Sequence, residues 1–290
     1  MALPELAVTG STGEVGGRVA RRLASKGIAQ RLVVRDPLKA PVLNGAVGVG
    51  ASSYGDTAAM TSALEGATTL FLVSGRETED RLQQHLAAVD AAREAGVETI
   101  VYLSFLGAAP NATFTLARQH FATEEHIRDT GASFTFLRSS LYADFVPYFT
   151  GPDGVIRGPA GEGRVAWVTR DDIADVAVAV LLSDGHEGRT YEMTGPEAFS
   201  MAATAGILSR VTGRPIAYHA ETTEEAWASR RPSGAPDWEI EGWITSYAAV
   251  ATGEMDVVTD AVQEVAGHPP QRLEPFLRAH SELWHHLTDA

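Results

Sequence analysis

No stretch of this chain restricts its fold more than Thr9-Gly10-Ser11-Thr12-Gly13-Glu14-Val15-Gly16. A short apolar run, Leu6-Ala7-Val8, precedes it, and Val15, Val19 and Leu23 follow at helical spacing until Gly27. The stretch therefore reads as the turn between a buried strand and a helix. Gly10 permits the tight turn, Gly13 lets a phosphate approach the backbone, and Gly16 lets helix and strand pack closely. The helix N-terminus offers free amides and partial positive charge to the phosphates, which makes Gly10, Thr12, Gly13, Glu14 and Val15 cofactor-binding candidates. Inside a strand-helix-strand unit this pattern predicts a dinucleotide-binding Rossmann domain.

Further apolar runs at residues 30–34, 46–49, 69–73, 99–103 and 134–137 alternate with helical patterns centred near Leu64, Val89 and Glu124. Strands and helices in that alternation predict an α/β fold, a doubly wound parallel sheet. Beyond Tyr142 the pattern changes: Pro147, Gly151, Pro152, Gly154, Gly158, Pro159, Gly161 and Gly163 crowd one stretch. A looped domain junction is expected there. The reading is a nucleotide-binding domain over residues 1–150 and a smaller, mainly helical C-terminal lobe over 151–290. Segments at 165–168, 173–182 and 190–193 are expected to return to the sheet. The loop at 230–237 is expected to be flexible, with Trp227, Trp238 and Trp243 lining a cleft.

Composition bounds the partners. With 44% hydrophobic and 21% charged residues the chain is an ordinary globular protein. A net charge of -14 would repel nucleic acid and anionic lipid. The absence of cysteine excludes disulfides, a thiolate nucleophile and Cys-ligated metals. No basic n-region precedes the first strand and no apolar run is long enough for a bilayer, so a cytoplasmic protein is expected. His120 and Glu124 have helical ligand spacing but lack a third partner. They read as an exposed polar pair, and no metal is expected. Asp171 and Asp172 read as the N-cap of the helix that follows them.

The end of the second strand discriminates between cofactors. NAD binders commonly place an acid there for the ribose hydroxyls, whereas this chain reads Val33-Val34-Arg35-Asp36-Pro37-Leu38-Lys39. A guanidinium at position 35 can stack on adenine and pair with a 2′-phosphate, with Lys39 as a second cation. The competing reading is a solvated pair of Arg35 with Asp36. NADP(H) is the expected cofactor.

The Gly10 motif, Val34-Arg35-Asp36-Pro37, Tyr54-Gly55-Asp56 with Leu64-Glu65-Gly66, Leu137-Arg138 with Tyr142, and Gly267-His268-Pro269-Pro270 resemble the NmrA-like atypical short-chain dehydrogenases, in particular the type 2 NAD(P)H:quinone oxidoreductases. The likeness is densest over residues 6–145. It implies that Asp56 contacts the adenine, where the residues alone also suggest a helix N-cap. It also implies that Val73 and Ser74 line the adenosine and the nicotinamide ribose. A typical short-chain dehydrogenase adds a serine after the fifth strand and a Tyr-x-x-x-Lys pair on the next helix. Here Ser104 is present, but Leu116 and His120 stand at the pair's positions.

Alcohol dehydrogenation by the usual tyrosinate route is therefore disfavoured. The expected activity is hydride transfer from NADPH to a quinone or similar conjugated carbonyl, a small planar substrate whose aromatic product needs little acid catalysis. The alternative is a non-catalytic NADP(H) sensor that regulates a protein partner. Ser104, His120 and Tyr142 are the catalytic candidates. His120 could protonate a quinone oxygen or fill the lysine site as a ribose partner, and Tyr142 could stack on a planar substrate, donate its hydroxyl or pack as core. Arg138 reads as structural. Phe105, Phe145, Tyr148 and Phe149 could form an apolar wall.

Overall fold

A computed structural model describes residues 3–288. In chain order the elements begin with β1 (Leu6–Thr9), α1 (Glu14–Ser25), β2 (Gln30–Val34), β3 (Ala46–Gly50), α2 (Thr57–Leu64) and β4 (Thr69–Val73). Next come α3 (Arg81–Glu94), β5 (Thr99–Phe105), α4 (Thr115–Asp129), β6 (Ser133–Ser139), β7 (Val155–Gly158), β8 (Arg164–Val165), α5 (Arg170–Leu182) and β9 (Arg189–Met193). The remainder comprises β10 (Phe199–Ser200), α6 (Met201–Thr212), β11 (Ala217–Ala220), α7 (Thr223–Arg230), α8 (Asp237–Ala251), α9 (Ala261–Ala266) and α10 (Leu273–Ala279).

Seven strands form one sheet in the order β3-β2-β1-β4-β5-β6-β9. Strand β1 runs parallel to β2 and β4, β2 to β3, and β4 to β5. This is the doubly wound arrangement expected from the alternating pattern, and the order reverses between β1 and β4. Helix α1 buries Val15, Val19 and Leu23, one stripe at i, i+4, i+8. Leu64, Leu70, Leu72, Val89, Ile100, Ile127 and Phe136 belong to one buried cluster.

Arg31 is 1% exposed on β2 and donates to Pro4 O (2.6 Å), Ala63 O (3.2 Å) and Glu65 O (2.8 Å). A cation thus closes the C-terminal end of α2, where helix carbonyls lack partners.

The chain forms two compact units. The first comprises Met1–Phe105, Gln119–Arg138 and Ile173–Tyr191, the second Leu106–Arg118, Ser139–Asp172 and Glu192–Ala290. The chain crosses between the units after residues 105, 118, 138, 172 and 191. The segments after β5 and β6 leave the first unit, and most of α4 and α5 brings the chain back to it.

Within the second unit β7 pairs in parallel with β11, and β8 antiparallel with β10. The expected strand at 165–168 is only Arg164–Val165, because the residues after it bond to different partners. Ala166 N donates to Met255 O, whereas Val168 N donates to Leu141 O. Trp227 and Trp243 do not stand free beside a cleft. They pack on Ala226, Ile240 and Ile244 of α7 and α8, and residues 231–233 form a 3-10 turn between these helices. The cap of α5 also differs from expectation: Thr169 Oγ1 accepts the Asp172 amide at 3.0 Å, while Asp171 and Asp172 lie in the first turn. Asp172 is fully buried, and that burial raises its pKa.

The turn between β1 and α1 has no room at Gly16. A Cβ there would lie 2.4 Å from Gly10 O and 2.7 Å from Thr9 O, whereas at Gly13 the only nearby atom is Gly10 O at 3.3 Å. Gly16→Ala should therefore cost about 1–3 kcal/mol of stability through overpacking against backbone, and Gly13→Ala less than about 1 kcal/mol. Urea unfolding of the two variants and the parent checks this, and equal losses would contradict the packing role of Gly16.

Candidate active site

The site begins where parallel strands end side by side. The chain leaves β1 at Gly10, β2 at Arg35 and β4 at Ser74, all on one edge of the sheet and at its switch point. Gly10 has φ +64°, a conformation that favours glycine. A Cβ on it would come within 3.0 Å of the Val73 side chain, so the loop after β1 lies directly against the end of β4.

Helix α1 starts after Gly13 with no side-chain cap. Thr12, Gly13 and Glu14 are exposed there, while Val15 is buried. The Ser11 hydroxyl on the same loop is buried and has no hydrogen-bond partner among the described residues. The uncapped start of α1 and an orphaned hydroxyl fit a pyrophosphate, although the Gly13 amide is itself spent on Gly10 O at 2.9 Å.

Arg35 is exposed and, among the described residues, has neither a hydrogen bond nor an ion pair. Asp36 is not its counter-ion. Asp36 Oδ1 instead accepts the Leu38 amide at 3.1 Å, and Oδ2 lies 4.0 Å from the mostly exposed Lys39 ammonium. Asp56 caps α2: Oδ1 accepts the Ala59 amide at 3.1 Å and Oδ2 the Ser52 hydroxyl at 2.6 Å. The Ser52 bond, then the amide, lowers its pKa.

Behind Val73 and Ser74 lies a buried polar cluster in the first unit. Val73 N donates to Thr9 Oγ1 (2.9 Å), and Val73 O accepts from Tyr54 OH (2.8 Å). Gly75 N donates to His85 Nε2 (2.8 Å), and Gly75 O accepts from Arg81 Nε (3.0 Å). The same guanidinium donates to Gln119 Oε1 (3.0 Å) and meets His120 Nε2 at 2.9 Å. His120 Nδ1 in turn lies 2.9 Å from Tyr102 OH. Because guanidinium is only a donor, His120 Nε2 accepts and its ring proton sits on Nδ1. His85 is likewise neutral at Nε2, since an amide donates to it.

Burial first, and the Arg81 charge second, hold both imidazoles well below the usual histidine range. Burial pushes Tyr54 up to about 12. His120 and Glu124 are buried at 5% and 0% exposure, which corrects the expectation of an exposed pair. Among the described residues no group of three or more His, Asp or Glu could hold a metal.

Glu124 anchors the other side of the cluster. Oε1 accepts the Ser104 hydroxyl at 2.6 Å and Arg138 Nε at 2.9 Å, while Oε2 accepts Arg138 Nη2 at 2.6 Å. Arg138 is thus half of a bidentate ion pair with a fully buried carboxylate. Removing one partner of such a pair costs about 3–5 kcal/mol. Phe105 stacks on His120 at 6.2 Å and 30°.

Tyr142 belongs to the second unit, along with Phe145, Tyr148 and Phe149. Its ring stacks on Phe145 at 6.2 Å and 11°, and the Arg170 guanidinium lies 5.4 Å from the Tyr142 ring and 4.4 Å from the Phe145 ring. Phe145 and Tyr148 are 45% and 58% exposed, whereas Phe149 packs on Trp167 and Tyr247.

The first unit therefore brings together Gly10, Val73 and Ser74 with Ser104, Phe105 and His120 close behind. Sequence reasoning missed Arg81, His85, Tyr102, Ser11 and the pins on Val73. One signal was available: Arg81 and His85 lie four apart on the stripe of α3 that continues through Ala88, Val89 and Ala92. Polar residues at the head of a buried stripe mark a buried polar contact.

Residues 4–238 match the NmrA-like family. Quinone oxidoreductase 2 of Escherichia coli is 33% identical over 92% of this chain and 96% of its own length. The NAD(P)H azoreductase of Xenophilus azovorans is 31% identical over 94% of this chain and 97% of its own. A crystal structure of the E. coli NADPH-dependent quinone oxidoreductase, complexed with NADPH, superposes with a TM-score of 0.86 at 32% identity, covering 96% of this chain and 99% of that one. With the glycine turn, the sheet order and these likenesses in agreement, the chain belongs to the NmrA-like family.

Proposed function

We propose that this protein binds NADP(H) at the sheet edge formed by Gly10, Arg35 and Ser74 and reduces a quinone or a similar conjugated acceptor. In this reading Gly10, Thr12, Gly13, Glu14 and Val15 hold the pyrophosphate, Arg35 and Lys39 the 2′-phosphate, Asp56 the adenine, and Val73 and Ser74 the adenosine and nicotinamide ribose. The unpaired guanidinium of Arg35 supports the choice of NADP(H). Relatives named as a quinone oxidoreductase and an azoreductase support an acceptor that takes electrons into a conjugated system.

One observation carries the choice of acceptor: neither Ser104 nor His120 is arranged as a proton donor to substrate. The Ser104 hydroxyl is spent on Glu124, and both His120 nitrogens are spent on Arg81 and Tyr102. A bound dihydronicotinamide supplies a hydride, two electrons and one proton. A quinone that accepts it becomes an aromatic hydroquinone anion, which takes its second proton from water without a placed acid. An aldehyde or ketone has no such outlet and needs an acid that neither Ser104 nor His120 is placed to supply. Ser104 and His120 then shape the first unit's part of the site, and Tyr142, on the second unit, is the candidate ring for stacking a planar substrate. Among the described residues no helix is long and apolar enough to cross a membrane, and the cysteine-free chain suits the cytoplasm. A sensor without turnover would also lack a placed acid, so activity decides between the two.

NADPH should bind at least about tenfold more tightly than NADH, since a hydrogen bond to a charged group contributes about 1.5–3 kcal/mol. Arg35→Ala should erase most of that preference by calorimetry, and equal affinities in the parent would overturn the role of Arg35. In stopped-flow assays with a quinone panel, Ser104→Ala and His120→Asn should each lower kcat by less than about a hundredfold, and Tyr142→Ala should mainly raise KM. The pH profile of kcat should lack a histidine ionisation near 6.5, because burial keeps His120 neutral well below that pH. A thousandfold loss in kcat for one variant would reveal an essential acid. No NADPH oxidation with any quinone, enone or azo acceptor would favour the sensor.

A further inference from the structure

Four side chains hold the backbone of the turn that follows β4. Thr9 and Tyr54 engage the amide and carbonyl of Val73, and His85 and Arg81 engage the amide and carbonyl of Gly75. Ser74 lies between these pinned residues, and its own hydroxyl has no partner among the described residues. Gly75 sits close against the clamp: a Cβ on it would fall 3.3 Å from His85 Nε2 and 3.4 Å from the Tyr54 ring.

Arg81 and His85 are costly ways to hold one glycine. Both are nearly sealed from solvent, at 3% and 0% exposure, on a helix face otherwise filled by alanine and valine. A buried guanidinium and a buried imidazole each pay a desolvation cost that an apolar pair would avoid. The cation is itself pre-oriented by Gln119 and His120, and Tyr102 links His120 to His85. Such support behind a short segment is what a binding wall needs if its geometry is to be set before the ligand arrives.

We propose that Arg81 and His85 are positioning residues that fix the Val73–Gly75 turn so that the free Ser74 hydroxyl is presented, preformed, to a ribose hydroxyl of the bound dinucleotide. The inference rests on the NADP(H) reading given above and adds the residues that set its ribose wall. Neither residue touches the ligand; each acts through the backbone of Gly75. Their removal therefore weakens cofactor binding more than it weakens the fold.

Two amide variants at one position test this. Gln at position 85 can place its amide oxygen where Nε2 now accepts the Gly75 amide, whereas Asn carries the same group one methylene too short. With the full-length protein and NADPH as titrant, His85→Asn should raise the calorimetric Kd about tenfold, and His85→Gln should stay within about threefold of the parent. The melting temperatures of the two ligand-free variants should agree far more closely than their affinities. Ser74→Ala should weaken NADPH in the parent but add little further loss in the His85→Asn background. Equal NADPH affinity in the Asn and Gln variants, with the parent binding normally, would overturn the clamp alone. A parent that binds no dinucleotide would overturn the cofactor reading and the clamp with it.

Discussion

The close approach of α1 to the end of β1 is the contact on which the rest depends. Gly16 faces the carbonyl of Gly10 at a distance that leaves no space for a Cβ, and Gly10 adopts a positive φ against the side chain of Val73. Together they let the helix start directly over the strand end. Its uncapped amides then open onto the same edge as Arg35 and Ser74. A single methyl group at Gly16 would push the helix away from the strand and dissolve that convergence. The fold and the binding edge are therefore consequences of one steric constraint.

A second set of interactions shapes what happens at that edge. Short-chain dehydrogenases of the usual kind place tyrosine and lysine on the helix after β5. In this chain that helix carries His120 and Glu124 into the interior instead. Glu124 gathers Ser104 and Arg138, while His120 gathers Arg81 and Tyr102. Charge that would serve proton transfer elsewhere is here neutralised or locked by hydrogen bonds. Under the proposed function, an interior organised this way suits a reaction whose product can wait for a proton from water. It also stiffens the wall at Val73–Gly75 from behind.

Much of this was legible before any coordinates. The glycine spacing, the alternating strand and helix runs and the arginine after β2 are local patterns. Local patterns survive because strand ends, tight turns and helix starts are fixed by neighbouring residues. The sequence misjudged Asp171 and Asp172 as caps because Thr169, just upstream, caps the helix by accepting the Asp172 amide, and a one-dimensional reading cannot rank three capping residues within four positions. Trp227 and Trp243 were read as cleft residues because bulky aromatics beside a Pro/Gly-rich loop do not declare which face they bury. The strand after Arg164 was overextended because its apolar run splits its hydrogen bonds among three separate segments.

What the sequence determined by itself is the class of ligand and the class of fold: a glycine turn between strand and helix admits little else, since the φ values and close contacts it demands are set within eight residues. Only the tertiary structure decided the state of the polar side chains. Arg81, His85, Tyr102, His120 and Glu124 come from three elements, and each is unremarkable in isolation. Whether such a residue is solvated, catalytic or a buried support depends on which partners the packing of α3, β5 and α4 delivers within hydrogen-bond reach. That information is long-range, and burial converts it into fixed tautomers and shifted pKa values.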